Sequence, residues 1–146
     1  MPYPELMITP MREALTRHGI EEARTVEDVD RLLAPGSGHV LVVFNSVCGC
    51  AASIARPGVV QSLQGDVRPD NVATAFAGAD IEAVNYLRQK LSMYPPSSPS
   101  VALFHDGEPV FMMHRHQIEG RDPNMIASHL RDAYRTHCVS DQVEAI

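Results

Sequence analysis

The sequence predicts an α/β protein: a single domain with a βαβαββα core, a mixed four-stranded sheet and extra N-terminal helices. Three observations carry this prediction. The run Val40-Leu41-Val42-Val43-Phe44 is apolar and β-branched, as in a strand buried on both faces, and the helix-favouring residues Ala51–Ala55 follow it closely. Strand-like and helix-like segments then alternate along the chain. Finally, Asp106-Gly107 sits between two short apolar runs, a strong signal for a two-residue hairpin. With 146 residues, 45% of them hydrophobic, the chain can bury one substantial core, and two domains would be cramped.

The elements follow in order. Thr9-Pro10 reads as a helix start, a hydroxyl cap followed by Pro, with Met7, Met11 and Leu15 at helical spacing and Gly19 as the stop. Thr25 and Asp28 have the spacing of a capping box, and Val29, Leu32 and Leu33 give that helix an apolar face. Pro35-Gly36-Ser37-Gly38 closes this extension, residues 1–38, and leads into the core, residues 39–138. After the strand at 40–44, a helix is expected to about Gly65, either kinked at Pro57 or split into two short helices meeting at Arg56-Pro57. Residues 71–77 read as the second core strand. Asp80 reads as the cap of a helix whose apolar face is Ile81, Val84, Leu87 and Leu91, ending before Pro95-Pro96. Val101–Phe104 and Pro109–Met113 form the hairpin, the Pro marking an edge strand and Met112-Met113 packing one on each face. Asp122-Pro123 starts a last helix lined by Ile126, Leu130, Ala133 and Tyr134, and residues 139–146 read as a tail.

Charge and composition narrow the function. The net charge of −6, with Lys and Arg scattered, argues against nucleic acid as a partner. No segment approaches the ~20 apolar residues of a membrane helix, and Met1–Glu5 lacks the basic start of a signal peptide, so the expectation is a cytoplasmic protein with no membrane partner. In that compartment paired cysteines are more often catalytic or metal-binding than structural.

Chemistry concentrates at Cys48-Gly49-Cys50, where the buried strand turns into a helix. Unpaired backbone N–H groups and the helix dipole favour a thiolate there, lowering its pKa below about 8.5. Cys48, first at the helix start, is the candidate nucleophile and Cys50 the candidate resolving thiol. Gly49 would supply the unusual backbone angles of a tight ring, and the one-residue spacing would make an internal disulfide strained and oxidising. Arg56 could steady a thiolate or an anionic thiol ligand, or form a surface salt bridge. Asn45 and Ser46 could hydrogen-bond the turn ahead of Cys48, or simply cap the helix. Arg115 and His116 read as solvated groups at a strand end, and Cys138 as a packed small apolar group. A metal site, for zinc or an iron–sulfur cluster, would need Cys48 and Cys50 joined by others among His105, His114, His116 and Cys138, but no second spaced cysteine pair supports it. A redox sensor acting through the same cysteines is the remaining alternative.

The element order, with cysteines closing the first core strand and a Pro before the third, resembles the thioredoxin fold. That resemblance implies a cis Ser98-Pro99 bond beside the cysteines, X–Pro bonds being those where cis is accessible. More closely, NSVCGCA, ARP, FAGAD, SSPS and RHQIEG resemble the bacilliredoxins, and the likeness spans nearly the whole chain. It implies a thiol–disulfide oxidoreductase that removes bacillithiol from mixed disulfides on cytoplasmic proteins, with weak disulfide isomerase activity in some members. Its partners would be S-bacillithiolated proteins and bacillithiol itself, a thiol co-substrate with no bound cofactor. It places the nucleophilic cysteine on Cys48, the second active-site cysteine on Cys50 and the pre-strand Pro on Pro99. Joined to the residue-level reading of Gly49 and Arg56, this makes Gly49, Ser98, Pro99 and Arg56 the candidate substrate-binding set. His114 departs from the pattern, standing where an apolar residue or Pro is expected.

Overall fold

The computed structural model describes the backbone of residues 2–144 and side chains through Cys138. Helix α1 (Glu5–Thr16), strand β1 (Glu21–Glu22) and helix α2 (Val26–Leu32) precede the core. The core runs β2 (His39–Asn45), a π-helical turn (Ala51–Ala55), α3 (Arg56–Ser62), β3 (Asn71–Phe76), α4 (Ile81–Lys90), β4 (Ser100–His105), β5 (Glu108–Met113), the short α5 (Arg115–Ile118) and α6 (Pro123–Glu144).

The sheet order is β1-β3-β2-β4-β5. β2 and β3 are parallel across the first crossover, and β2–β4 and β4–β5 are antiparallel. The sheet therefore has five strands rather than the expected four. The addition is β1, which pairs parallel with β3 through Glu21↔Ala73 and Glu22↔Thr74. Two consecutive glutamates carry neither β propensity nor alternation, so nothing local announces the strand. The β4–β5 turn has Asp106 and Gly107 both at positive φ, 48° and 85°, as a two-residue hairpin requires.

Apolar side chains alternate across β2. Leu41 and Val43 pack on one face with Leu15 of α1, Val59 of α3 and Ile126, Leu130 and Tyr134 of α6. Val40, Val42 and Phe44 pack on the other with Val29 of α2 and Leu87 of α4. Met113 and Met112 divide between the two faces in the same way.

Several local expectations change. α1 begins at Glu5 after Pro4, not at Thr9, so Pro10 lies inside the helix. The carbonyl deprived of its donor is that of Leu6, which is 95% exposed and open to water. Thr9 instead donates its hydroxyl to the Glu5 carbonyl at 2.6 Å. Asp80 does not cap α4 with its side chain. Its carboxylate accepts from the Phe76 N–H at 2.9 Å and from Arg12 at 2.7 and 2.8 Å. At Pro57 the chain does not split into two helices: the π-helical turn passes directly into α3, Ala55 and Arg56 keep αR angles, and the wider π turn lies just ahead of the Pro. The last helix continues through residues read as a tail, to Glu144; residues 145 and 146 lie outside the described ones.

Candidate active site

The site forms where β2 ends. Asn45 is buried, and its Oδ1 accepts from the Ser46 N–H at 2.9 Å while its Nδ2 donates to the Met11 carbonyl of α1 at 3.0 Å. Ser46 Oγ then accepts from the Cys48 N–H at 3.1 Å, fixing the turn that presents the first thiol. The Ala51 N–H donates to the Cys48 carbonyl at 3.0 Å, so Cys48 stands at the mouth of a helical turn.

Cys48 and Cys50 are both half-buried, with sulfurs 2.8 Å apart in a contact where either can donate. Their acidities separate. Cys48 is held below the ordinary thiol range, chiefly by the hydrogen bond from the Cys50 side chain, then by the Cys50 backbone N–H, with further help from the positive charge of Arg115 and the Ala51 N–H. Cys50 is pushed up, chiefly by burial, and further by its bond to Cys48 and the charge there. Such a pair can carry a thiolate on one sulfur while its neighbour keeps its proton and donates to it.

Gly49 is exposed and does not adopt positive φ; a Cβ built on it would meet nothing within 4 Å. The expected unusual backbone is therefore absent at Gly49, and a side chain there would point into open space.

Arg56 is buried, 7% exposed, and among the described residues it makes no salt bridge. Its Nη1 donates to Asn45 Oδ1 at 2.9 Å and to the Ser46 carbonyl at 3.1 Å, bracing the turn from behind. It also borders a groove of about 410 Å³ between α1 and α3, with Ala14, Ala52 and Pro57.

The Ser98-Pro99 bond is cis. Register places the loop beside the thiols, since Ser100 opens β4 opposite Phe44, near the end of β2. One side chain ties loop and thiol together. Arg115 donates from Nη2 to Cys48 Sγ and from Nη1 to the Ser98 carbonyl, each at 3.2 Å, while its Nε pairs with Glu119. The Arg115 N–H also donates to Ser97 Oγ at 3.2 Å.

Composition gave no reason to separate Arg115 from the other surface arginines. The usable signal was hairpin register: once Asp106-Gly107 turns the chain, Met113 lies opposite Val101, which carries residue 115 back to the Pro99 loop. Next to it, Pro95, Pro96, Ser97, His114, His116 and Glu119 line a groove of about 330 Å³. The imidazoles of His114 and His116 stack there with centroids 5.4 Å apart, and burial, aided by the His116 charge, lowers the pKa of His114.

The other possible metal ligands are scattered. His105 stacks on His39 at the far end of β2, and Cys138 is buried against the α6 side of the core. Among the described residues no three His, Cys, Asp or Glu side chains converge as a metal ion would require.

Comparison with known proteins agrees with this geometry. Residues 3–138 match the family model described as disulphide isomerase. The chain is 45% identical over 143 residues to a bacilliredoxin of Salinibacter ruber, covering 97% of this chain and 83% of the relative. It is 47% identical over 141 residues to a bacilliredoxin of Shouchella clausii, covering 94% and 97%. Among solved structures it is similar to Fasciola hepatica thioredoxin, with TM-score 0.55 and 18% identity over 81% of this chain and 99% of that one. It is also similar to mitochondrial thioredoxin 3 of Saccharomyces cerevisiae in its oxidised form, with TM-score 0.54 and 12% identity over 81% and 95%.

A sheet of this order, with two thiols at the end of a central strand, defines a thioredoxin-fold thiol–disulfide oxidoreductase. Within that class, the chain belongs to the bacilliredoxin family.

Proposed function

We propose that this oxidoreductase removes bacillithiol from mixed disulfides on cytoplasmic proteins, with Cys48 as nucleophile and Cys50 as resolving thiol. The observation that carries this reading is geometric: two sulfurs 2.8 Å apart at the mouth of a helical turn, with Arg115 donating to Cys48 Sγ at 3.2 Å, an arrangement that favours the thiolate on Cys48. The Cys48 thiolate attacks the bacillithiol sulfur of the mixed disulfide. A bond forms between Cys48 Sγ and that sulfur, and the client cysteine leaves as a thiolate that takes a proton from water. Cys50 then loses its proton and attacks Cys48 Sγ, releasing bacillithiol as a thiolate and leaving a Cys48–Cys50 disulfide. Alternatively a second bacillithiol attacks the bound one, giving bacillithiol disulfide and restoring the Cys48 thiolate without Cys50. The groove at Ser97, His114, Arg115 and His116 is the place for the small thiol, and Pro99 and Ser98 form the wall against which the client chain lies. Gly49 leaves the approach open, and Arg56 acts through the turn rather than on substrate. The same attack on a protein disulfide would give isomerase activity. No helix among the described residues is long and apolar enough to cross a membrane.

The test is incubation of a bacillithiol-capped and a glutathione-capped client with wild type, Cys48→Ala and Cys50→Ala, read by mass spectrometry. Wild type should release bacillithiol in preference to glutathione. Cys48→Ala should release neither, and Cys50→Ala should carry the small thiol on Cys48. A dead Cys50→Ala beside an active Cys48→Ala would reverse the roles, and equal release of both thiols would remove bacillithiol from the reading.

A further inference from the structure

We infer that Arg115 is a catalytic residue of the exchange reaction, holding the Cys48 sulfur against the cis-Pro loop, and that Glu119 sets how much of its charge the sulfur receives. The inference deepens the assignment of Cys48 as nucleophile and rests on it.

Arg115 joins the two halves of the site through one planar group. Nη2 reaches Cys48 Sγ and Nη1 the Ser98 carbonyl, each at 3.2 Å. The fork fixes the nucleophile relative to the loop where the other reacting sulfur must lie, and a guanidinium suits this because its donors are rigidly spaced. It remains charged at every pH of interest, so it supplies a permanent cation without taking part in proton transfer. Its third donor, Nε, is taken by Glu119 one helical turn away. The carboxylate orients the guanidinium and offsets part of its charge, and its own negative charge also reaches the thiol pair, raising Cys50.

The groups facing Cys48 are few. Cys50 approaches from the helix side, and Arg115 with Glu119 behind it from α5. His114 and His116 lie along the adjoining groove, and Arg56 is turned to Asn45 and Ser46.

Before attack, Arg115 faces an anionic sulfur. When Cys48 Sγ bonds to the small thiol, the negative charge has left with the client thiolate and Cys48 is neutral. When Cys50 attacks Cys48 Sγ, the small thiol departs as an anion beside Arg115. The guanidinium thus meets negative charge at the start and at the end of the cycle, and keeps its proton throughout.

The test measures iodoacetamide labelling of reduced protein against pH, with the modified cysteine located by mass spectrometry, in wild type, Arg115→Met, Arg115→Lys and Glu119→Gln. Loss of one exposed opposite charge near a thiolate should lower the Cys48 rate at pH 6 by about three- to tenfold in Arg115→Met, while the plateau at high pH is kept. Arg115→Lys should recover part of the loss, since charge returns without the fork. Glu119→Gln, which leaves Arg115 in place, should move the profile the opposite way and raise the rate at pH 6. An Arg115→Met profile that superimposes on wild type, or falls by one factor at all pH values, would overturn the inference, as would a slower Glu119→Gln. A wild-type Cys48 that is unlabelled at pH 6 would instead remove the nucleophile assignment itself.

Discussion

Arg12 and Asp80, 68 residues apart in sequence, form a buried two-point ion pair, with guanidinium–carboxylate distances of 2.7 and 2.8 Å and side chains only 5% and 4% exposed. The pair ties α1 to the loop between β3 and α4. Asp80 also accepts from Phe76 at the end of β3, and Arg12 reaches Glu5 at 2.9 Å, so neither charge is left bare. Removing Asp80's charge takes from Arg12 its buried partner and leaves it the more exposed Glu5 and Glu22. Asp80→Asn should therefore lower the unfolding free energy by about 3 kcal/mol, the low end for a broken buried pair because Glu5 still serves Arg12. Urea denaturation of reduced protein is the measurement.

A second stability prediction concerns Gly58 in α3. A Cβ there would stand 2.7 and 2.8 Å from Cβ and Cγ2 of Ile126 in α6. Ala is the better helix former, yet Gly58→Ala should destabilise by about 1–3 kcal/mol, because overpacking outweighs the ~1 kcal/mol propensity gain. Pairing it with Ile126→Ala, which removes Cγ2 from the contact, should cost less than the sum of the two single changes.

The acidity of the thiols sets a labelling order. With Cys48 lowered and Cys50 raised, the thiolate fraction below pH 7 resides on Cys48, and Cys50 ionises only above the ordinary thiol range. The largest cause of the lowering is the Cys50 side-chain hydrogen bond. Cys50→Ala removes that donor, so the Cys48 value moves back up and its thiolate fraction at pH 6 falls. Labelling of Cys48 at that pH should slow by about three- to tenfold, whereas at pH 10 the two proteins should react alike.

Asn45 joins Met11 of α1, Ser46 and Arg56 through one amide. Asn45→Ala leaves a buried guanidinium with only the Ser46 carbonyl as its Nη1 acceptor. The expected loss is about 2–3 kcal/mol, as for unsatisfied buried polar groups. Because the same amide fixes the turn before Cys48, labelling of Cys48 should lose its selectivity over Cys50 in this variant, which a stability loss by itself would not cause.

How far the sequence foretold these arrangements depended on the range of the interaction. Val40–Phe44 specified a doubly buried strand through composition alone, and Asp106-Gly107 specified the hairpin because few residues tolerate φ of 48° and 85°. Cys48 was legible from its position at a strand-to-helix junction. Ser98-Pro99 was legible only through resemblance, since local chemistry permits a cis bond without requiring one. The role given to Asp80 failed because a distant cation competed for the carboxylate and won. Arg56 was misplaced for a related reason: a charged side chain beside exposed Pro57 reads as surface, yet here buried oxygens from Asn45 and Ser46 draw it inward. β1 escaped notice because a two-residue strand owes its existence to its neighbour, not to itself.

That short strand has a consequence for how far the chain can be trimmed. Its pairing with β3, continued by the Ala23 N–H to the Thr74 carbonyl at 2.8 Å, closes one margin of the sheet. A version starting at Gly38 would bare that margin along β3, deprive the Asn45 amide of the Met11 carbonyl, and leave Asp80 without a countercharge. The N-terminal segment is thus a structural partner of the thiol-bearing half, and a minimal redox unit cut to the shared fold would lose the scaffold that aims its sulfur.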